Sequence, residues 1–207
     1  MRHTPTYVIT DPLEVRRLIG EHPWATIVSP TSNGMVASHY PVMLENRDDQ
    51  ISLVSHFGRP DDELHELGQH EVLVIIQGPH GYISSSWYPD GDNIPTWNHA
   101  TAHLYGTPEI LSDEENFRVL SELVDHFEHH VEHPVSLADD EAGARRVAKG
   151  TVGLRIVIDR FDARLKMSQN KKPEVHQHIV DELNSDGTYA SPQLAAEMTR
   201  VRPSDPE

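Results

Sequence analysis

Cysteine is absent from this 207-residue sequence. Without a thiol the chain can form no disulfide bond, use no thiolate nucleophile and bind no cysteine-ligated metal. Any redox chemistry must therefore come from a bound cofactor.

Basic residues are also scarce. The chain has 17 Lys and Arg against 33 Asp and Glu, which gives a formal net charge of −16, and its 15 histidines begin to charge only below neutral pH. A protein of this charge repels a phosphate backbone, and the two C-terminal helical segments lack the basic face of a recognition helix. The sequence therefore disfavours direct DNA binding, so that a role in transcription would act through a ligand or a protein partner.

Long apolar runs are missing as well. No stretch approaches the roughly 20 residues that a helix needs to cross a bilayer, and residues 1–12 contain no hydrophobic run that could serve as a secretory signal. We therefore expect a cytoplasmic protein with no membrane contact. The length fits one well-buried domain with a small helical appendage.

Short β-rich runs separated by turn residues dominate the first two thirds of the chain, and they favour an antiparallel sheet or barrel. A helix is predicted over residues 112–132, because apolar residues recur every three to four positions and Ser112 with Glu115 forms a capping box. The alternating run 151–167 predicts one long final strand. We expect one domain over residues 1–168, which includes that helix, and a C-terminal helical extension over residues 169–207.

Two stretches combine tryptophans with hydroxyl and amide side chains: "QGPHGYISSSWY" (77–88) and "IPTWNHATAHLYG" (94–106). A binding surface made of these side chains suits a flat ligand with polar edges, because the aromatic rings stack on the ligand while the hydroxyls and amides fix its orientation. The alternative interpretation is that Trp87 and Trp97 are core or interface residues and that the serines face solvent along a strand.

These two segments, together with "KMSQNK" (166–171), resemble three hallmark segments of the PaiB family in the same order, and the similarity extends over nearly the whole chain. The resemblance implies an α+β fold, a flavin-reductase-like FMN-binding split barrel, that is usually a homodimer with flavin between the protomers. The resemblance also implies that the protein binds FMN and is related to negative transcriptional regulators. An FMN-dependent oxidoreductase activity is a further expectation from the same resemblance. The alternative is a non-catalytic regulator or sensor that binds another planar ligand, such as haem, or no flavin at all.

The resemblance also assigns residues on the first half of the chain. It places His39 and Pro41 beside the flavin, and Ser55, His56 and Arg59 at its phosphate. Where the family commonly has Asn-Pro in this turn, the present chain has Arg59-Pro60-Asp61-Asp62. Carboxylates this close to a phosphate would repel it unless they point away.

The physical needs of a flavin extend this set. The ring requires a stacking aromatic and hydrogen-bond donors along its polar edge, which Trp87 or Trp97 and a group of nearby polar side chains provide: Ser84, Ser86, Thr96, Asn98, Lys166, Gln169 and Asn170. The alternative interpretation of residues 166–171 is a polar loop.

Four histidines lie three, four and seven positions apart in the predicted helix: His126, His129, His130 and His133. If they shared one helical face, pairs of them could bind a transition metal. The interspersed acidic residues favour the simpler interpretation of a solvated face without a metal.

Overall fold

A computed structural model describes residues 4–46, 50–89 and 94–201. The chain divides into two compact units, and the divisions at residues 76/77 and 102/103 fall inside two long strands. The first unit comprises Met1–Leu18, Gln77–Ala102 and Asp162–Glu207, and the second comprises Ile19–Ile76 and His103–Phe161. The division into a domain over 1–168 and an extension over 169–207 stays a prediction.

The second unit contains most of the strands. They are β2 (Trp24–Thr31), β3 (Gly34–Pro41), β4 (Met43–Glu45), β5 (Ser52–Gly58), β8 (Pro108–Ile110) and β9 (Thr151–Val157), with the first part of β6 (Val72–Ile83) and the last part of β7 (Thr96–Gly106). The helices are α2 (Asp61–Leu64), α3 (Asp113–Glu128) and α4 (Glu141–Ala148). The α4 helix was not predicted from the sequence.

Antiparallel pairing organises the second unit. One sheet has the order β4-β5-β9-β8, and in another β2 pairs with both β3 and β6. Strand β3 is the edge of its sheet. The α3 helix packs its buried Val119 and Leu123 against Val54 and Leu111, so one face of the helix completes the core of this unit.

The first unit contains β1 (Val8–Ile9), most of α1 (Pro12–Glu21) and the remaining parts of β6 and β7. It also contains most of β10 (Arg160–Lys166) and the helices α5 (Pro173–Leu183) and α6 (Pro192–Arg200). Strands β1 and β10 are antiparallel. The buried faces of α1, α5 and α6 supply the apolar core, which includes Leu18, Ile179, Leu183, Leu194 and Met198.

Three sequence predictions need correction. The predicted strand over 151–167 is two strands, β9 and β10, which belong to different sheets. The β-rich run 81–88 predicts a strand, but β6 ends at Ile83 and Ser85–Trp87 forms one turn of 3-10 helix, in which the Ser84 side chain accepts a hydrogen bond from the Ser86 amide. The predicted helix over 112–132 ends earlier, at Glu128.

The general class is confirmed: the chain folds into antiparallel sheets with helices, in the α+β class expected of a flavin split barrel. Among the described residues no helix is both long and apolar enough to cross a bilayer.

Candidate functional site

The candidate residues fall into two groups, one in each unit. His39, Pro41, Ser55, His56 and Arg59 belong to the second unit. The remaining candidates belong to the first unit: Ser84, Ser86, Trp87, Thr96, Trp97, Asn98, Lys166, Gln169 and Asn170.

In the second unit, the turn between β5 and α2 brings Arg59 beside Asp62. Arg59 Nη1 lies 2.9 Å from Asp62 Oδ2, and the arginine side chain is half exposed. The pair is neutral, so the net attraction of this turn for an anion is small. A cavity of about 380 Å³ beside it also carries the carboxylates of Glu63 and Glu66.

The second carboxylate of the turn, Asp61, belongs to a half-buried residue. Its Oδ2 accepts hydrogen bonds from Ser38 Oγ at 3.0 Å and from the Tyr40 hydroxyl at 2.9 Å. Burial and the bond to Asp61 together raise the pKa of Tyr40. Because two hydroxyl donors hold this carboxylate, Asp61 anchors α2 to β3 and is not a free charge beside the turn.

His65 extends this network in the core. Since Ser38 donates its proton to Asp61, it accepts from Nε2–H of His65 at 3.0 Å, and His65 Nδ1 accepts from Ser29 Oγ at 2.8 Å. Burial lowers the pKa of His65, which fits this neutral tautomer. His65 was not among the sequence candidates, because a histidine within a short helical turn gives no signal of its buried partners.

Two buried polar atoms near this turn have no hydrogen-bond partner among the residues that the structure describes. They are His56 Nδ1 and Asp62 Oδ1, two of the three such buried side-chain atoms among the described residues. Burial also lowers the pKa of His56. Buried polar atoms are nearly always paired, so unpaired ones at one turn indicate a place for a polar ligand.

The other candidates of the second unit differ in how far their side chains are exposed to a ligand. Ser55 is buried, and its hydroxyl donates to the Pro41 carbonyl at 2.6 Å. His39 is exposed, and its ring stacks against Trp24 with centroids 6.4 Å apart. Of these three, His39 is the side chain that presents a surface to a ligand.

In the first unit, the polar candidates bind one another. Lys166 donates to Thr96 Oγ1 and, at 2.7 Å, to the Trp97 carbonyl. Buried Asn98 donates to Ser168 Oγ at 2.9 Å. Gln169 accepts from the Met167 amide and donates to the Leu165 carbonyl. Asn98 and Gln169 thus shape the end of β10 through bonds to protein groups.

Ring contacts through two tyrosines connect Trp97 to Trp87. Tyr82 contacts Trp97 edge-on at 6.1 Å between centroids and Tyr189 at 4.8 Å, and Tyr189 lies 6.5 Å from Trp87. Tyr189 was missed by sequence analysis, because it is a single aromatic residue in a Gly- and Ser-rich loop. Ser84 and Ser86 bond to each other at 2.8 Å beside this row, while Asn170 accepts from Tyr7.

The histidine face does not form as predicted. His129 is the C-cap of α3, and His130 and His133 follow the helix end, so the four histidines do not share one helical face. In the part of the chain that the structure describes, no three or more His, Asp or Glu side chains are arranged to hold a metal ion.

The antiparallel sheets with helices are of the class to which flavin-binding split barrels belong. Residues 1–160 match the family model described as "Putative FMN-binding domain". The chain therefore belongs to this family and is an FMN-binding, PaiB-like protein.

Similar proteins agree with this assignment. The protease synthase and sporulation protein PAI 2 of Bacillus subtilis is 30% identical over 203 residues, which cover 93% of this chain and 94% of the relative. Among solved structures, the FAD and haem binding protein of Mycobacterium smegmatis aligns with a TM-score of 0.58 at 17% identity, over 88% of this chain and 81% of that one. The flavocytochrome Anf3 of Azotobacter vinelandii aligns with a TM-score of 0.57 at 13% identity, over 80% and 72%. Both structures support the fold.

Proposed function

We propose that this protein is a cytoplasmic, homodimeric FMN-dependent regulator, in which the turn between β5 and α2 holds the polar tail of the cofactor. The observation that carries the proposal is the pair of unpaired buried atoms, His56 Nδ1 and Asp62 Oδ1, beside the half-exposed Arg59. A ribityl hydroxyl can donate to the carboxylate oxygen, and a hydroxyl or phosphate oxygen can bond to the imidazole. FMN, when bound, supplies one- and two-electron transfer.

Each residue at and around this turn has a proposed role. Arg59 supplies the positive charge, Asp61 and Tyr40 fix the turn in place, and exposed His39 offers a ring surface. The candidates of the first unit stay sequence predictions, and two of them, Asn98 and Gln169, already donate to protein groups.

Flavin retention is the direct test. Untagged protein should be examined by absorption and flavin fluorescence as purified, and again after incubation with FMN and gel filtration. Retained flavin with quenched fluorescence supports the proposal. Protein that releases all its FMN contradicts it, and a haem spectrum in place of flavin would favour a sensor of another planar ligand.

Charge substitutions locate the phosphate. Because Asp62 neutralises Arg59, Asp62→Asn should tighten FMN binding and Arg59→Ala should weaken it, each by about three- to tenfold. The matched control is the surface pair Arg118–Glu122 of α3, with N···O at 2.7 Å: Arg118→Ala and Glu122→Gln should leave FMN affinity unchanged. Asparagine keeps a side-chain oxygen that can accept a hydrogen bond, so if Asp62→Asn weakens binding, the negative charge of Asp62 does not oppose the ligand and the phosphate lies elsewhere.

The proposed dimer rests on the exposed face of β2 and β3. Trp24 is 63% exposed and Met35 is 69% exposed, and such apolar side chains are suited to contact with a second copy. Sedimentation velocity should give a dimer for the wild type, and Met35→Lys should shift it towards monomer. A wild-type monomer at micromolar concentration would contradict this part of the proposal.

A regulatory role would not require direct DNA contact. The name of the Bacillus subtilis relative links that protein to protease synthesis and sporulation, and the charge of −16 on this chain favours action through a ligand or a protein partner. DNA retardation by the purified protein at physiological salt would contradict this mode of action.

A further inference from the structure

The segment 119–144, which begins inside α3 and ends inside α4, carries an excess of negative charge. It contains seven Asp and Glu residues and no Lys or Arg. The two arginines that flank it, Arg118 and Arg145, each neutralise one of these seven, Glu122 and Glu141, so an excess of five negative charges remains. This part of the second unit therefore attracts positively charged groups.

Three apolar side chains of the same segment are exposed, and we call them the apolar patch: Phe127, Val131 and Val135. Each is at least 46% exposed. Glu128, the last residue of α3, fixes the two valines, because its carbonyl accepts from the Val131 amide at 2.8 Å and its carboxylate accepts from the Val135 amide at 3.2 Å. Single exposed apolar side chains are ordinary, but neighbouring ones held in this way form a surface that a partner can cover.

A groove beside α3 extends the apolar patch. Its volume is about 510 Å³, and its lining includes Met43, Asp125, His126 and His129. The rings of His126 and Phe127 meet edge-on with centroids 5.1 Å apart, so the groove adjoins the patch. Met43 packs against the buried core residues beneath α3 and gives the groove an apolar base. No flavin candidate is among the described residues that line this groove.

Carboxylates flank this apolar surface. Asp125 lines the groove, and Glu132 is an exposed residue of the segment that carries the valines. Such a surface is complementary to a segment that carries Lys or Arg beside apolar side chains. The aliphatic stems of Lys and Arg cover apolar surface while their charged ends reach the carboxylates. An amphipathic helix presents this combination in compact form, because its apolar residues recur on one face.

A second copy of this chain does not fit the apolar patch, since it would bring another acidic surface against this one. We propose that the apolar patch and the groove beside α3 dock a basic amphipathic helix of a partner protein. The proposal rests on the proposed regulatory role, in which the protein acts through a partner, and it names the chemistry of that partner.

Fluorescence anisotropy with labelled peptides tests the surface in the full-length protein at physiological salt. The probe is a peptide with Leu at the helical positions i, i+3, i+4 and i+7 and Lys at the others. It should bind saturably, whereas a peptide with Glu in place of each Lys, or with Ser in place of each Leu, should bind at least about tenfold more weakly. No saturable binding of the probe, or equal binding of the Ser peptide, would overturn the proposal.

Apolar substitutions assign the binding to the patch. Phe127→Ser should weaken probe binding at least about tenfold, because aromatic side chains often dominate the free energy of binding at an interface. Val131→Ser replaces it if Phe127→Ser fails to fold. Val147→Ser, at an exposed position of α4, is the matched control and should bind as wild type. Wild-type affinity in the folded patch variants would contradict the site.

Charge substitutions test the complementarity. Asp125→Asn with Glu132→Gln should weaken probe binding by about three- to tenfold. The control, Asp181→Asn with Asp186→Asn, removes the same charge from exposed residues of the first unit and should have a much smaller effect. Equal effects of the two double variants would mean that the net charge of the protein attracts the probe, which contradicts a docking surface at α3.

Two further readouts separate this proposal from the others. FMN retention is measured on the same samples: protein that retains FMN but binds no probe contradicts the docking surface alone, and protein that binds the probe without retaining FMN supports the docking surface and contradicts the cofactor proposal alone. If Phe127→Ser converts a wild-type dimer to monomer in sedimentation velocity, a second copy covers the patch and the docking proposal is wrong.

Discussion

At the scale of single residues, Gly153 of β9 shows how closely α3 approaches the sheet. A Cβ at this position would lie 2.8 Å from Asn116 Oδ1 and 2.9 Å from Asn116 Cα. Gly153→Ala should therefore lower the free energy of unfolding by about 1–3 kcal/mol, because a backbone atom cannot move aside easily. Urea denaturation measures this change.

The control for this prediction is Gly20→Ala in α1. No atom of the described part of the chain lies within 4 Å of a Cβ there, so alanine should be neutral or should stabilise the helix by up to about 1 kcal/mol. Equal destabilisation by the two substitutions would mean that the contact with Asn116 is not the cause.

A second residue, Arg155, holds several elements of the second unit together. Its guanidinium is 9% exposed, donates twice to Glu45 at 2.8 Å and once to Glu109 at 3.1 Å, and these bonds raise the pKa of the arginine. Arg155→Met should lower the free energy of unfolding by up to about 3 kcal/mol, because the partly buried Glu45 carboxylate loses both bonds from the guanidinium and keeps the Ser52 hydroxyl and, at 3.7 Å, Arg118. If Arg155→Met together with Glu45→Gln is no more stable in urea than Arg155→Met alone, the uncompensated charge of Glu45 is not the source of the loss.

At the scale of elements, the N-terminus of α3 is predicted to contribute measurable stability. The Ser112 hydroxyl accepts a hydrogen bond from the Glu115 amide, and the Glu115 carboxylate accepts one from the Ser112 amide. Ser112→Ala should lower the free energy of unfolding by about 1 kcal/mol. Ser191→Ala serves as the control and should have little effect, because within the described residues the Ser191 side chain at the N-cap of α6 makes no capping hydrogen bond.

The helices were predictable because their signals are local. The capping box and the three-to-four spacing identify α3, and Pro173 and Pro192 mark the first turns of α5 and α6. The break between β9 and β10 has no such signal. It is set by distant partners, since the Ile158 amide donates to the Ile51 carbonyl and the Asp159 amide to Tyr105.

The sequence identifies which residues have side chains that could bind a ligand, but not which of these side chains are already hydrogen-bonded to protein groups. The sequence indicated Arg59 and the neighbouring carboxylates, and the structure adds that Asp61 is held by hydroxyls and Asp62 by Arg59. Which donors are already occupied depends on contacts between residues far apart in sequence, such as Asn98 and Ser168. No pattern along the chain reveals those contacts.

At the scale of the whole molecule, stability should depend on pH through buried histidines. Burial lowers the pKa of His56, His65 and His99. A histidine whose folded pKa lies below its unfolded value takes up a proton on unfolding once the pH falls below about 6.5. Its stabilising contribution is complete above the unfolded pKa and is lost as the pH falls towards the folded value, so we expect the protein to be less stable in urea at about pH 5.5 than at about pH 7.5.

Substitution separates this effect from the general change in net charge. His65→Gln should reduce the difference in stability between the two pH values, because it removes one buried group that must stay neutral in the native state. His133→Gln, at an exposed position beyond α3, should leave the difference as in wild type. An unchanged difference in the His65 variant would contradict the assignment.

The Gly58 amide donates to the Tyr40 hydroxyl at 3.2 Å, and the same hydroxyl donates to Asp61. The nitrogen and proton frequencies of this one amide therefore depend on where the phenol points and how strongly the carboxylate holds it. In a nuclear magnetic resonance spectrum the Gly58 cross-peak is a built-in reporter of the turn, and it should move when the turn binds a ligand without any label being attached.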